Sequence, residues 1–161
     1  MGVPKLSLRG LAICLPFAFA LHVTEEAPAF VEWFNDLVAP HITQQLFLSV
    51  NAVAFGITCC VAILLVGLHD KAAGLIGVAW VGFLMLANGL FHLVGTVVHW
   101  RYSPGVVTGT LVYLPLSALL IRAVVIECRV SPTAALLVAL AGGIPMYVHG
   151  FLIVFRGSRL F

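Results

Sequence analysis

An all-α polytopic bundle of about five membrane-spanning helices, with one amphipathic helix lying at the membrane interface, is the fold class that the sequence predicts. Three observations carry it: 62% of the 161 residues are apolar, only 9% are charged, and the mean hydropathy is +1.15. A soluble globule carries about 25% charged residues, so this chain lacks the polar material to coat one. Its abundance of Leu, Ile, Val and Phe equally excludes a disordered chain. A spanning helix needs about 20 apolar residues, which leaves room for roughly five spans, short links and a single integral membrane domain. The lipid bilayer is therefore the expected partner. Eight Lys/Arg against six Asp/Glu, with no basic run, argue against nucleic-acid binding.

The first expected span runs from Leu6 to Val23, with Lys5 and Arg9 at its start and no further charge until Glu25. A basic start, an apolar run and Ala18-Phe19-Ala20 also fit a cleaved secretory signal, although the segment that follows favours retention. That segment, Ala27 to Pro40, places Phe30, Trp33, Phe34, Leu37 and Val38 at spacings of three and four, opposite Glu32, Asn35 and Asp36. It reads as an interfacial amphipathic helix, with Pro28 in its first turn, that is suited to act as a lid.

Four longer spans follow, about Gln44 to Leu68, Ala72 to His99, Gly105 to Glu127 and Pro132 to Phe155. Their connections contain His69-Asp70-Lys71, which read as solvated, and Pro104-Gly105, which fits the centre of a type II turn. Cys14, Cys59, Cys60 and Cys128 show no C-x-x-C spacing and read as small buried hydrophobes. With the amino terminus cytoplasmic, Lys5, Arg9, Lys71, Arg122 and Arg129 fall inside, against Arg101, Arg156 and Arg159 outside.

Depth along each span, at about 1.5 Å per residue, brings the polar positions into one layer. Measured from the cytoplasmic end, His22, Glu25, Glu26, Asn51, Asn88, His92, Tyr113 and His149 all fall at roughly 22–30 Å. Ionisable groups inside a span normally face a bundle interior, a cavity or one another. His22 precedes Glu25 by three residues and Glu26 by four, so a continuing helix presents the imidazole and a carboxylate from one face. Asn88, His92, Gly95 and His99 form a second stripe, and Pro145 predicts a kink four residues before His149.

His22-Val23-Thr24-Glu25-Glu26, Asn88-Gly89-Leu90-Phe91-His92 and Tyr102-Ser103-Pro104-Gly105 together resemble the HXXEE family of small bacterial integral membrane proteins. The resemblance spreads over roughly the first two thirds of the chain. It implies a polytopic protein of a bacterial cytoplasmic membrane with His22, Glu25, Glu26, Asn88 and His92 as signature positions, and it implies no particular reaction.

Imidazole and carboxylate donors suit Zn or Fe, so His22, Glu25, Glu26, His92 and His149 are candidate metal ligands and candidate catalytic groups. Without a metal, a buried carboxylate paired with an imidazole is an acid/base couple. Asn51, Asn88, Tyr113 and His99 are candidate contacts to a lipid-like or apolar substrate, with His99 near an entrance. A proton or metal-ion carrier and a non-catalytic structural or lipid-binding subunit are the competing classes. No phosphate cradle, nucleophile elbow or dinucleotide fingerprint is present in the sequence.

Overall fold

The computed structural model describes residues 7–37 and 42–156, with side chains for all of these except 149 and 151–156. Among the described residues the chain forms six helices and no strand. They are α1 (Leu8–Glu26), α2 (Phe30–Leu37), α3 (Gln44–Leu68), α4 (Lys71–His99), α5 (Val106–Glu127) and α6 (Pro132–Arg156). The helices α1, α3, α4 and α5 are each long and apolar enough to cross a membrane, and α6 contributes a shorter apolar stretch, Pro132–Val148. These helices mark an integral membrane protein.

The buried face of α1 follows from helical spacing. Leu8, Leu11, Leu15, Phe19, His22 and Glu26 recur every three or four residues and are all buried, so one apolar stripe ends in two polar groups. Ser7 starts the helix by accepting from Gly10 N–H at 3.2 Å, and Glu127, at the far end of α5, accepts from Leu8 N–H at 2.8 Å. The stripe packs against α3 and α5, while α4 occupies the middle of the bundle between α3, α5 and α6. At the α4–α6 crossing the backbones touch: a Cβ at Gly82 would collide with the Ala139 carbonyl, and one at Gly142 with that of Ala79. Close approach through small residues is how helices pack when lipid supplies no hydrophobic driving force.

Two helices are not α-helical throughout. Gly82–Ala87 in α4 and Gly109–Tyr113 in α5 are π-helical, and the two segments touch each other. Wider turns of this kind are frequent at functional sites, and here each directly precedes or contains a candidate residue.

The structure corrects three expectations. The amphipathic helix begins at Phe30, because residues 27–29 form a turn: Pro28 has no N–H to continue the ladder, and Ala29 N–H bonds back to Glu26 O at 3.1 Å. Its expected end at Val38 to Pro40, like Lys5, His41 and Arg159, lies outside the described residues. Of the four cysteines only Cys128 is buried; Cys14 and Cys60 sit on the outer faces of α1 and α3, where the solvent is lipid and an apolar side chain gains nothing by turning inward. Nor are the residues between α3 and α4 simply solvated. Asp70 caps α4 by accepting from Ala73 N–H at 2.7 Å, and His69 Nε2 lies 3.5 Å from Glu127.

Candidate functional site

The polar end of α1 meets α4 and the start of α5 beneath α2. Four residues separate His22 from Glu26, so they share a face, and that face is turned to His92 on α4. His92 Nε2 is 3.1 Å from Glu26 Oε1 and His22 Nε2 is 3.5 Å from the same oxygen. One donor atom from each residue lies within 4.8 Å of the other two. All three are inaccessible to water, with 2% of His22, 5% of Glu26 and none of His92 exposed. Burial at that level makes an ionised carboxylate untenable without partners.

Each imidazole is held from behind. His22 Nδ1 lies 2.7 Å from Thr108 Oγ1, and His92 Nδ1 lies 2.9 Å from Ser103 Oγ. With the Nδ1 atoms occupied, both rings turn Nε2 inward, and neither Nε2 has a hydrogen-bond partner of good geometry. The Tyr113 ring packs on His22 at a centroid distance of 4.3 Å, and Phe30 of α2 meets His92 edge-on at 5.9 Å. Gly105 closes the site from the α4–α5 connection. Its φ of 103° and the Val106 N–H donated to Ser103 O at 3.0 Å form the type II turn, and a Cβ here would strike both imidazoles.

Glu25 goes elsewhere. One residue along a helix turns the side chain by about 100°, so Glu25 leaves the face shared by His22 and Glu26. Its Oε1 accepts from Tyr102 OH at 2.5 Å, Gly105 N–H at 3.1 Å and Val107 N–H at 3.0 Å. Its Oε2 accepts from Thr108 N–H at 2.7 Å and Thr108 OH at 2.5 Å. The carboxylate thereby ties the end of α1 to the first turn of α5, where free amides favour negative charge. The hydrogen bond to Glu25 raises the Tyr102 hydroxyl from 10.0 to about 12, with burial adding to the rise.

A cavity of about 360 Å³ adjoins His22, Glu26 and Tyr113. Phe30, Phe34, Phe47, Phe83 and Phe91 dominate its wall, and Glu26 is the one charged residue among those lining it. Asn51 and Asn88 also face it, Asn51 with its amide donated to Phe47 O at 3.0 Å and Asn88 with Oδ1 buried and unpartnered. The Tyr113 hydroxyl is likewise buried without a partner.

The structure thus brings His22, Glu26 and His92 into one cluster, with Tyr113, Asn51 and Asn88 beside it and Glu25 one shell away. His99 stands apart, edge-on to Trp33 of α2 at 6.3 Å and not part of the cavity wall. The His149 side chain lies outside the described residues. Thr108 and Ser103 are the functional positions that sequence reasoning missed. The available signal was a hydroxyl on either side of the Pro104-Gly105 turn, since a turn followed by a helix start is where such side chains meet backbone and ring nitrogens.

Residues 13–120 match the family model described as a protein of unknown function with HXXEE motif. No curated protein and no solved structure matches the chain. The matched region covers more than half of the chain and contains the motif, the π-helical segments and every member of the buried cluster. The chain belongs to the HXXEE family, and the histidine and second glutamate of its motif, His22 and Glu26, are buried together against His92.

Proposed function

We propose that His22, Glu26 and His92 hold a divalent transition metal, Zn or Fe, within the membrane, and that this centre acts on an apolar, lipid-like molecule occupying the adjoining cavity. The observation that carries the reading is the convergence of two Nε2 atoms on one carboxylate oxygen, with no hydrogen-bond partner for either nitrogen. Two ring nitrogens and a carboxylate oxygen, buried and pointing together, are groups that a cation between them would satisfy. The 3.1 Å and 3.5 Å separations straddle the spacing of about 3.3 Å between donors on a tetrahedral metal with bonds of about 2.0–2.1 Å. Two histidines and one carboxylate are the donor set of catalytic zinc sites and of non-haem iron sites, both of which keep a position open.

Such a metal would supply Lewis acidity or an activated water. The residues do the rest. Thr108 and Ser103 orient the rings, as outer-shell partners of metal-bound histidines do. Tyr113 offers a hydroxyl, and Asn51 and Asn88 offer amides, to a polar group on an otherwise apolar ligand. His149 remains a candidate further donor and His99 a candidate entrance residue. In the bilayer, α2 lies along the outer surface above the site and the amino terminus is cytoplasmic.

A second reading rests on the 3.1 Å distance between His92 and Glu26, which is within reach for a metal-free acid/base couple once the ring is aligned. Elemental analysis of detergent-purified protein separates the two. Near-stoichiometric Zn or Fe, lost in His92→Gln and Glu26→Gln while thermal stability is kept, is the expected result. Turnover of an apolar substrate without metal, abolished by the same variants, would instead establish the couple. Protein without metal or turnover, destabilised severely by both changes, would leave the cluster with a packing role only.

A further inference from the structure

We infer that Thr108, clamped by Glu25, fixes the tautomer of His22, so that Nδ1 carries the ring hydrogen and Nε2 is the nitrogen presented to the buried cluster. The argument is a count of hydrogens along three groups. Glu25 accepts three backbone N–H groups, from Gly105, Val107 and Thr108, and a backbone hydrogen cannot be rotated away. Tyr102 OH is also donated to Oε1, and a carboxylate that accepts several backbone N–H groups is favoured in its ionised form, as an acceptor on both sides.

The contact between Thr108 Oγ1 and Glu25 Oε2 therefore contains the hydroxyl hydrogen of Thr108. A hydroxyl has a single hydrogen to give. Its remaining short contact, 2.7 Å to His22 Nδ1, must then be one in which the threonine oxygen accepts and the ring donates. The alternative acceptor for the hydroxyl, Gly105 O, is 3.5 Å away and does not compete with the closer carboxylate. Which nitrogen of a histidine binds a metal is set by the hydrogen bond that the other nitrogen makes. In the neutral ring, His22 Nε2 is accordingly the nitrogen with the lone pair, and it faces Glu26 Oε1 at 3.5 Å.

Glu25 and Thr108 are thus positioning residues: neither touches the cluster centre, and both decide which atom of His22 does. His92 differs, because its Ser103 partner has no second acceptor among the described contacts to commit its hydrogen. Two neighbouring glutamates of the motif acquire separate tasks, Glu26 within the cluster and Glu25 behind the histidine. The tautomer stands on the hydrogen bonds alone; its benefit to metal binding rests on the metal reading proposed above.

The test is nitrogen-15 NMR of protein labelled at histidine, purified in detergent and stripped of metal, with His22 assigned by comparison with His22→Gln. The parent and Thr108→Ser should show His22 protonated at Nδ1. In Thr108→Val the acceptor is gone, and the hydrogen should move to Nε2, where Glu26 accepts it. Titration with Zn should show affinity about 10–100-fold weaker in Thr108→Val than in the parent, the range for losing an outer-shell partner, and recovered in Thr108→Ser. An unprotonated Nδ1 in the parent overturns the inference without need of any variant, even if Thr108→Val fails to fold. Tight Zn binding by all three proteins with an unchanged tautomer overturns it and leaves the metal reading intact. A tautomer that switches as described in protein that never binds Zn upholds the inference and removes the metal reading.

Discussion

Glu25 and Glu26 are neighbours in the chain and face opposite problems. Glu26 is a nearly water-free carboxylate whose partners are two imidazoles, whereas Glu25 is saturated by donors from a turn and a helix start. Replacing Glu25 with Gln should lower stability by about 2 kcal/mol, since hydrogen bonds to a charged group contribute more than neutral ones. Tyr102 adds a pH signature. Because its pKa is raised by folding, from 10.0 to about 12, the contribution of its hydrogen bond is fully present below pH 10 and lost as pH climbs towards 12. Melting temperatures across that window should converge for the parent and Tyr102→Phe, after a small difference at neutral pH. At this scale the sequence was legible where a spacing carried the message: the four-residue steps from His22 to Glu26 and from Asn88 to His92. Thr108 and Ser103 were not, because a hydroxyl beside a turn has no periodicity, and its importance depends on which ring nitrogen happens to lie 2.7 Å or 2.9 Å away.

Among the helices, hydropathy located α3, α4 and α5 to within a residue or so of their observed ends, since a long apolar run bounded by Asp70, Pro104 or Cys128 leaves little freedom. The amphipathic face of α2 was equally plain, and its start was misplaced by the turn that Pro28 imposes. The π-helical segments were invisible. A pattern read with a period of 3.6 assumes one hydrogen-bonding scheme throughout, and an extra residue in a turn rotates all that follows. In α4 that rotation occurs at Gly82–Ala87, immediately before Asn88 and His92. Deleting Leu86 removes the extra residue that the wide turn accommodates, so α4 should close to an uninterrupted α-helix with His92 still facing Glu26. For the metal centre proposed above, the expected outcome is unchanged helical content by circular dichroism with Zn binding retained; lost Zn binding would show that the shape of the wide turn itself is needed to place His92.

For the molecule as a whole, composition alone specified a helical bundle in lipid, and counting depth along each span gathered His22, Glu26, His92, Tyr113, Asn51 and Asn88, which the structure finds around one cluster and its cavity. Depth says nothing about azimuth, which is why Glu25 was grouped with the others although the helix turns it elsewhere. Orientation across the membrane is decided by experiment. A cysteine introduced at Asp36, in a background with the four native cysteines replaced by serine, should react with a charged, membrane-impermeant maleimide added to intact cells. Reaction only after the cells are opened would place α2 on the cytoplasmic side and invert every span together.

One wall of the cavity is built by α3, through Leu46, Phe47, Val50, Asn51 and Ala54, and the apolar window of this helix is only 22% buried inside the protein. In a bilayer, the faces of that helix left open by the other described helices would meet acyl chains, so the surrounding lipid would complete the outside of this wall. Chain order outside then governs how readily the wall yields to an incoming guest: fluid, unsaturated tails give way, and stiff, saturated ones resist. For the apolar ligand proposed above, the host membrane would then bear on access together with the residues facing inward.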